Sequence, residues 1–306
     1  MVISLGLIIY LQHKVNWETI YSSLKKTDIV FYILSTFCAF LTSYIVAWKY
    51  RLLIKEGPLA GISSLSLFKI NLISRFYALF MPTAAAPVAV RWYKVTRNKD
   101  GRGFFLIATI FERLSFFFVA ILFAATSFFV IKTSPLIAPI LRKSFLIMFP
   151  CFFATCIGLA VFFIPSLIVW ANSLLRYSIS PNWLQKYPAI FFKNLELFKS
   201  KKQTLLMVLC ISLLWQITFV VRVYFIFQSN AVELDFLSIA WLSSLVLMVQ
   251  VLPISFSGIG LRESLYAFFF PFLGFSPESG VLIGILLSSQ LLIISFFGYF
   301  FEVSEF

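Results

Sequence analysis

Long apolar runs separated by short polar stretches dominate the chain. Residues 29–48, IVFYILSTFCAFLTSYIVAW, carry no charge over 20 positions, the length an α-helix needs to cross a bilayer core. Residues 104–131, 144–170, 204–228 and 280–301 repeat the pattern; the first of these is interrupted only by Glu112–Arg113, and the second contains Pro150 and Pro165. The opening MVISLGLIIYLQ lacks the basic start and small-residue cleavage site of a signal peptide and reads as a first membrane helix. Residues 13–28 are polar, with Trp17, Ile20, Tyr21 and Leu24 at helical spacing, as in a helix lying in the interface. Residues 171–203, with six Lys or Arg and one Glu, read as a second amphipathic connector.

Two apolar segments depart from this pattern. Residues 66–81 include Lys69 and Arg75 and run into MPTAAAPVAVR; residues 237–252 run into LPISFSGIGLR. Each break reads Pro, eight residues, Arg: Pro82 to Arg91 and Pro253 to Arg262. Pro removes a backbone donor and Gly permits tight turns, so neither stretch suits a continuous membrane helix. Each lies after one span and before another, which predicts two repeats, about 29–131 and about 204–301.

Loop charge sets the sides. Residues 91–103 hold five Lys or Arg and 229–235 hold none. The positive-inside rule places the first inside and the second outside. Counting back puts 49–57 inside as well, together with the N-terminus, and leaves 132–143 outside with three basic residues. The chain between 57 and 91 must then enter and leave by one side. Non-helical backbone at membrane depth survives only when buried in protein or lining a wet cavity. The second break is entered from the opposite side, so the expected arrangement is an inverted repeat, whose paired interruptions point to a substrate site.

Composition agrees with a polytopic membrane protein: 61% of residues are hydrophobic, 12% are charged and Phe alone contributes 39 positions. The balance of 25 Lys and Arg against 12 Asp and Glu gives +13. That charge is spread over short loops, so the expected partners are the membrane and anionic lipid, not nucleic acid. Cys38, Cys151, Cys156 and Cys210 lie in apolar runs without CxxC, and His13 is the single histidine; they predict no metal site, and the cysteines read as small buried hydrophobes. HExxH, GxxxxGK[ST] and GxSxG are absent, so no catalytic residues and no cofactor are assigned.

The stretch LPISFSGIGLRESLYAFFF resembles the signature of the membrane region of lysylphosphatidylglycerol synthases, in which Pro-Ile-Ser, Gly-x-Gly and Arg-Glu fall in this order. AWKYRLLIKEG, MPTAAAPVAVRWYKVTR and IFERLSFFF are similar to that family in order and spacing, so the resemblance covers essentially the whole chain. It implies a flippase-like helical bundle that, in the full synthases, moves aminoacylated phosphatidylglycerol between leaflets while a separate soluble domain makes that lipid. Stand-alone members are associated with glycolipid or polyprenyl-linked sugar pathways. No soluble aminoacyltransferase domain follows the last apolar run, so lysyl transfer by this chain is not expected. The first break also lacks the Gly-Gly-Asp-like stretch usual before its Arg: it reads AAAPVAVR.

The resulting expectation is an all-α, multi-pass inner-membrane bundle of about six to eight spans with two broken segments and a cytoplasmic N-terminus. It binds and translocates an anionic phospholipid or lipid-linked intermediate, alongside a separate lipid-modifying enzyme. The alternatives are the membrane part of a lipid aminoacyl- or glycosyl-transferase system and a non-transporting scaffold. Arg262 and Arg91 would hold a phosphate, helped by N–H groups freed around Pro253, Ser255, Ser257, Gly258 and Gly260, with Pro82 marking the matching break. Packing of a simple kink is the alternative reading of that cluster. Glu112 with Arg262, or Arg113 with Glu263, would offset charges that cost about 2.5–3.5 kcal/mol each in lipid. Lys94, Arg97 and Lys99 set topology or attract headgroups, Lys69 and Arg75 snorkel or line the first hairpin, and Arg222, near a helix end, snorkels.

Overall fold

The computed structural model describes residue 6 and residues 15–81, 86–97, 99–130, 138–164, 194–198, 201–250 and 257–304. The first membrane helix expected before residue 13 and most of the 171–203 connector lie outside the described residues, as do Pro82, Pro253 and Ser255. Within the described residues the chain is all-α and carries no strand.

The interfacial helix is α1 (Trp17–Lys25), which starts where the Asn16 side chain accepts the amides of Glu18 and Thr19. The uncharged run forms α2 (Ile29–Ile54), capped by Asp28. It continues six residues past the apolar run, and this extension draws Lys49 and Tyr50 into the helix. The first broken segment forms α3 (Ser64–Ala78), capped by Ser63, and α4 (Ala86–Thr96). Then come α5 (Arg102–Val130) and α6 (Ala138–Phe163), with Pro150 inside α6. Arg142 and Lys143 therefore belong to a helix and not to an outside loop.

The second half repeats the order. A long helix α7 (Lys202–Gln228) is followed by the short α8 (Phe236–Val249), then by α9 (Leu261–Phe269), one turn of 3₁₀ helix over Phe270–Leu273 and the long α10 (Pro277–Val303). Asp235 and Ser276 cap α8 and α10 by accepting the amides of Ser238 and Ser279. Side-chain caps of this kind satisfy amides that have no partner within the helix.

Four helices, α2, α5, α7 and α10, are long and apolar enough to cross a membrane; α8 and the 149–163 part of α6 are shorter apolar helices. Their outer faces stay apolar: Ile29, Ile33 and Phe37 along α2, and Phe296 and Phe300 along α10, are all exposed. A soluble bundle would place polar residues there, whereas lipid accepts these side chains. The chain is thus a multi-pass membrane protein.

The two ends of the bundle can be told apart. At one end Gly101 lies against Pro58 and Gly57 against Phe104, the Lys201 ammonium donates to the Glu56 carbonyl, and Lys94 pairs with Glu302. At the other end the Asp28 amide donates to the Ser229 carbonyl at 2.7 Å and Thr27 bonds Asn230 at 3.1 Å. Residues 49–57 and 91–103 therefore share a face, opposite 229–235, as the loop charges required. The segment from α3 to α4 enters and leaves by the first face. The segment from α8 to the 3₁₀ turn enters and leaves by the second, where Phe227, Val232, Phe270 and Val281 pack in one cluster.

Packing pairs the halves crosswise. The helices α2 and α7 lie side by side, α3 lies along α10, and α8 lies along α5. The close approaches on α10 use glycine: a methyl group on Gly298 would overlap the Leu72 carbonyl of α3, and one on Gly284 would stand 2.7 Å from Glu263 Cα of α9. Small residues of this kind let membrane helices approach backbone to backbone. Gly298→Val should force α3 away from α10 and cost about 1–3 kcal/mol, read as a lower unfolding midpoint of the purified protein in detergent. Gly61→Ala, which meets nothing within 4 Å, should leave the midpoint in place.

Candidate functional site: an arginine-lined cavity between the two breaks

Helices α3 and α8 have 15 and 14 residues, short of the ~20 needed to cross. Each must end inside the protein, where its last carbonyls need donors. The Ser257 hydroxyl, in the second break, donates to the carbonyl of Ala78, the last residue of α3, at 2.8 Å. The tips of the two broken segments therefore meet. Next to this contact is a cavity of about 530 Å³, lined by residues of both halves.

Its charged lining consists of Arg75, Arg91, Arg113, Arg222, Arg262 and one carboxylate, Glu112. The remaining wall is largely apolar and aromatic, including Phe116, Phe117, Trp215 and Phe219. The sequence expectation thus places Arg91, Arg262, Glu112, Arg113 and Ser257 on one cavity, and the structure adds Arg75 and Arg222.

Three arginines are held by neutral partners. Arg91 donates to the Asn71 side-chain oxygen at 2.6 Å and to the Tyr50 hydroxyl at 3.0 Å. Asn71 in turn donates to the Ser43 carbonyl at 2.9 Å. Arg262 donates to Ser288 at 3.1 Å and to Gln250 at 3.0 Å. Gly258 makes the second bond possible, because a side chain there would stand 2.7 Å from the Gln250 oxygen and 3.3 Å from the Arg262 guanidinium. Its φ of +84° also suits glycine and few other residues. Arg222 donates to Gln290 at 2.7 Å, and Gln290 donates to Ser35 at 2.8 Å. Neutral partners fix a guanidinium in place and leave its charge uncancelled.

The expected pairing of the two Arg/Glu motifs is not what the fold makes. Glu112 pairs with Lys49 of α2 at 2.6 Å and accepts from the Tyr50 hydroxyl at 3.4 Å, with Arg113 Nε at 3.8 Å. The apolar run stops at Trp48, so the sequence reads Lys49 as the start of the 49–57 loop, yet α2 continues to Ile54. It then falls on the buried face, seven and fourteen positions after Thr42 and Ser35, both also buried. That seven-residue polar spacing was the available signal. Glu263 does not reach Arg113: it accepts the Gly260 amide at 2.7 Å and the Ser288 hydroxyl at 2.5 Å. The start of α9 is therefore capped by its own third residue, and the Gly260 N–H is not free for an anion.

Other assignments shift as well. Arg222 does not snorkel, since Gln290 holds it at the cavity wall. Arg91 belongs to the cavity and not to the loop charges, whereas Lys94 pairs with Glu302 and Arg97 is exposed. Of the cysteines Cys38 is buried, but Cys151 and Cys210 are exposed on the apolar outer surface. Among the described residues no cluster of His, Cys, Asp or Glu could hold a metal.

Removing one member of the Lys49–Glu112 pair strands the other in the bundle. Glu112→Gln should cost about 3–5 kcal/mol, measured by unfolding in detergent. Adding Lys49→Met to it should recover most of that loss, because burying no charge is often as stable as burying a pair.

A family model described as the lysylphosphatidylglycerol synthase TM region matches residues 1–298. No curated protein and no solved structure matches the chain. The match takes in both broken segments, the first three long apolar helices and α10 as far as residue 298, and every residue that lines the cavity. The chain belongs to the lysylphosphatidylglycerol synthase transmembrane-region family.

Proposed function

We propose that this protein binds an anionic lipid in the arginine-lined cavity and carries its headgroup between leaflets of the cytoplasmic membrane. One observation carries the reading: five arginines line a cavity placed where two broken segments from opposite faces meet. Unpaired cations inside a membrane protein are costly and mark pathways for polar substrates. The largely apolar wall suits acyl or prenyl chains, and the guanidiniums suit a phosphate.

In this reading residues 29–131 and 204–301 are inverted repeats. The crosswise packing of α3 on α10 and of α8 on α5 supports it, because a two-fold axis beside α2 and α7 would exchange those pairs. Exposure of the cavity to one face and then the other moves the headgroup, while the chains stay in the apolar phase. Arg262 and Arg91 hold the phosphate. Glu112, tied to Lys49, keeps Arg113 at the wall, and Glu263 fixes the turn from which Arg262 projects. In this reading the positive charge of 91–103 makes that face the cytoplasmic one, and a membrane helix before residue 13 returns the N-terminus to the same side.

The purified protein, reconstituted in liposomes, should accelerate the exchange of a fluorescent anionic phospholipid, read by quenching of the outer leaflet. Arg262→Ala should reduce the rate about ten-fold or more, the value of one charge-assisted contact. Arg97→Ala, on the exposed surface, should leave it unchanged. Exchange at the full rate with Arg262→Ala would remove the site.

A further inference from the structure

The cavity is unbalanced in charge. Among the described residues five arginines line it, with one carboxylate, Glu112, which is already paired with Lys49 at 2.6 Å. Glu263, the other acid nearby, keeps its charge beside Arg262 but points to the Gly260 amide and Ser288 and does not line the cavity. Neither break supplies another acid, because residues 79–90 and 251–261 contain no Asp or Glu. A substrate ammonium entering here would meet guanidiniums and find no free carboxylate.

The arginines also fall into two groups. Arg91, Arg222 and Arg262 are anchored by hydrogen bonds to neutral side chains. Arg75 and Arg113 are different. Among the described residues Arg75 makes no side-chain hydrogen bond or ion pair, and Arg113 has only its 3.8 Å approach to Glu112. Arg113 Nε is buried without a hydrogen-bond partner. Arg75 shares the cavity wall with Arg91, Arg113 and Arg262, and the one acid on that wall, Glu112, is paired with Lys49. Both line the one cavity with donors that no described side chain takes up, and an anion with more than one negative charge can engage both at once. A phosphodiester offers a single charge. A phosphomonoester carries about −1.5 to −2 at neutral pH, and a diphosphate carries more.

We infer that the ligand of this cavity bears a phosphomonoester or diphosphate and no amino group, with Arg75 and Arg113 acting as the residues that select the second negative charge. The inference rests on the lipid-binding reading above and narrows it. It excludes the aminoacylated headgroup, which brings ammonium groups to a wall that has no acid to receive them. Arg91, Arg222 and Arg262 form the preset part of the site, and Arg75 and Arg113 close on the anion once it has entered.

The test is a binding series on the intact protein in detergent or nanodiscs, by native mass spectrometry or thermal shift. The probes are a prenyl diphosphate, phosphatidic acid, phosphatidylglycerol, lysylphosphatidylglycerol and inorganic pyrophosphate. The prenyl diphosphate and phosphatidic acid should each bind about ten-fold or more tightly than phosphatidylglycerol, and lysylphosphatidylglycerol should bind weakest. Arg75→Gln and Arg113→Gln should each weaken the polyanionic lipids about ten-fold while changing phosphatidylglycerol much less. Neither arginine supports another side chain by a hydrogen bond, so both variants should keep the parent unfolding midpoint. Pyrophosphate bound as tightly as the prenyl diphosphate would keep the anion selectivity and assign the site to a water-soluble ligand. Phosphatidylglycerol or lysylphosphatidylglycerol binding as tightly as the polyanions would overturn the inference. So would a double Arg75→Gln, Arg113→Gln variant with the parent order of preference. The two readings fail separately: ordered binding without leaflet exchange defeats transport alone, and exchange without that order defeats the selectivity alone.

Discussion

A helix that ends at membrane depth leaves carbonyls that neither lipid nor its own turns can satisfy. The architecture turns on this constraint. Helices α3 and α8 both stop short of a full crossing, so the chain must supply polar partners where they end. Ser257 supplies one to the end of α3, and Gln250, the residue that caps α8, supplies another to Arg262. Once polar groups are gathered there, a cavity with a polar wall follows, and the arginines are placed where hydrogen bonds can hold them.

The second requirement is to keep guanidiniums charged in a region that penalises charge. Cancelling each with a carboxylate would give a tightly bonded and inert core. The protein instead uses Asn71, Tyr50, Gln250, Ser288 and Gln290, which accept hydrogen bonds and leave the field in place. The acids are drawn away to other tasks, Glu112 to Lys49 and Glu263 to the Gly260 amide. The distribution of the few acids therefore shapes the site as much as the arginines do.

Much of this was legible in the sequence. Apolar runs of sufficient length marked α2, α5, α7 and α10, because lipid allows few solutions for such segments. Loop charge put 49–57 and 91–103 on one face, as found, and the Pro-to-Arg spacing singled out Arg91 and Arg262, which line one cavity. Pairing was not legible. Glu112 and Arg262 looked like partners since each was a charge in need of one. The partner of Glu112 was hidden in Lys49, which sits one residue beyond an apolar run and so looked like the start of a loop. Arg222 was misread for a similar reason: nearness to a helix end suggested snorkelling, while its fate depends on Gln290, 68 positions away. Periodicity describes one helix at a time, and these contacts exist only between helices.

Helix α10 touches α9 at Gly284 and α3 at Gly298, about 21 Å apart along its axis at 1.5 Å per residue. Gly298 meets only backbone and Gly284 meets the Glu263 backbone and its Cγ methylene, so little is left between to absorb a displacement. The helix thus behaves as a connecting rod between a hairpin that enters from one face and a hairpin that enters from the other. Neither can slide without pushing on the rod, and the rod cannot shift without reaching both. Under the proposed transport reading, two gates joined in this way open in turn and not independently, and synchrony of that kind keeps a passage through a membrane from becoming a hole.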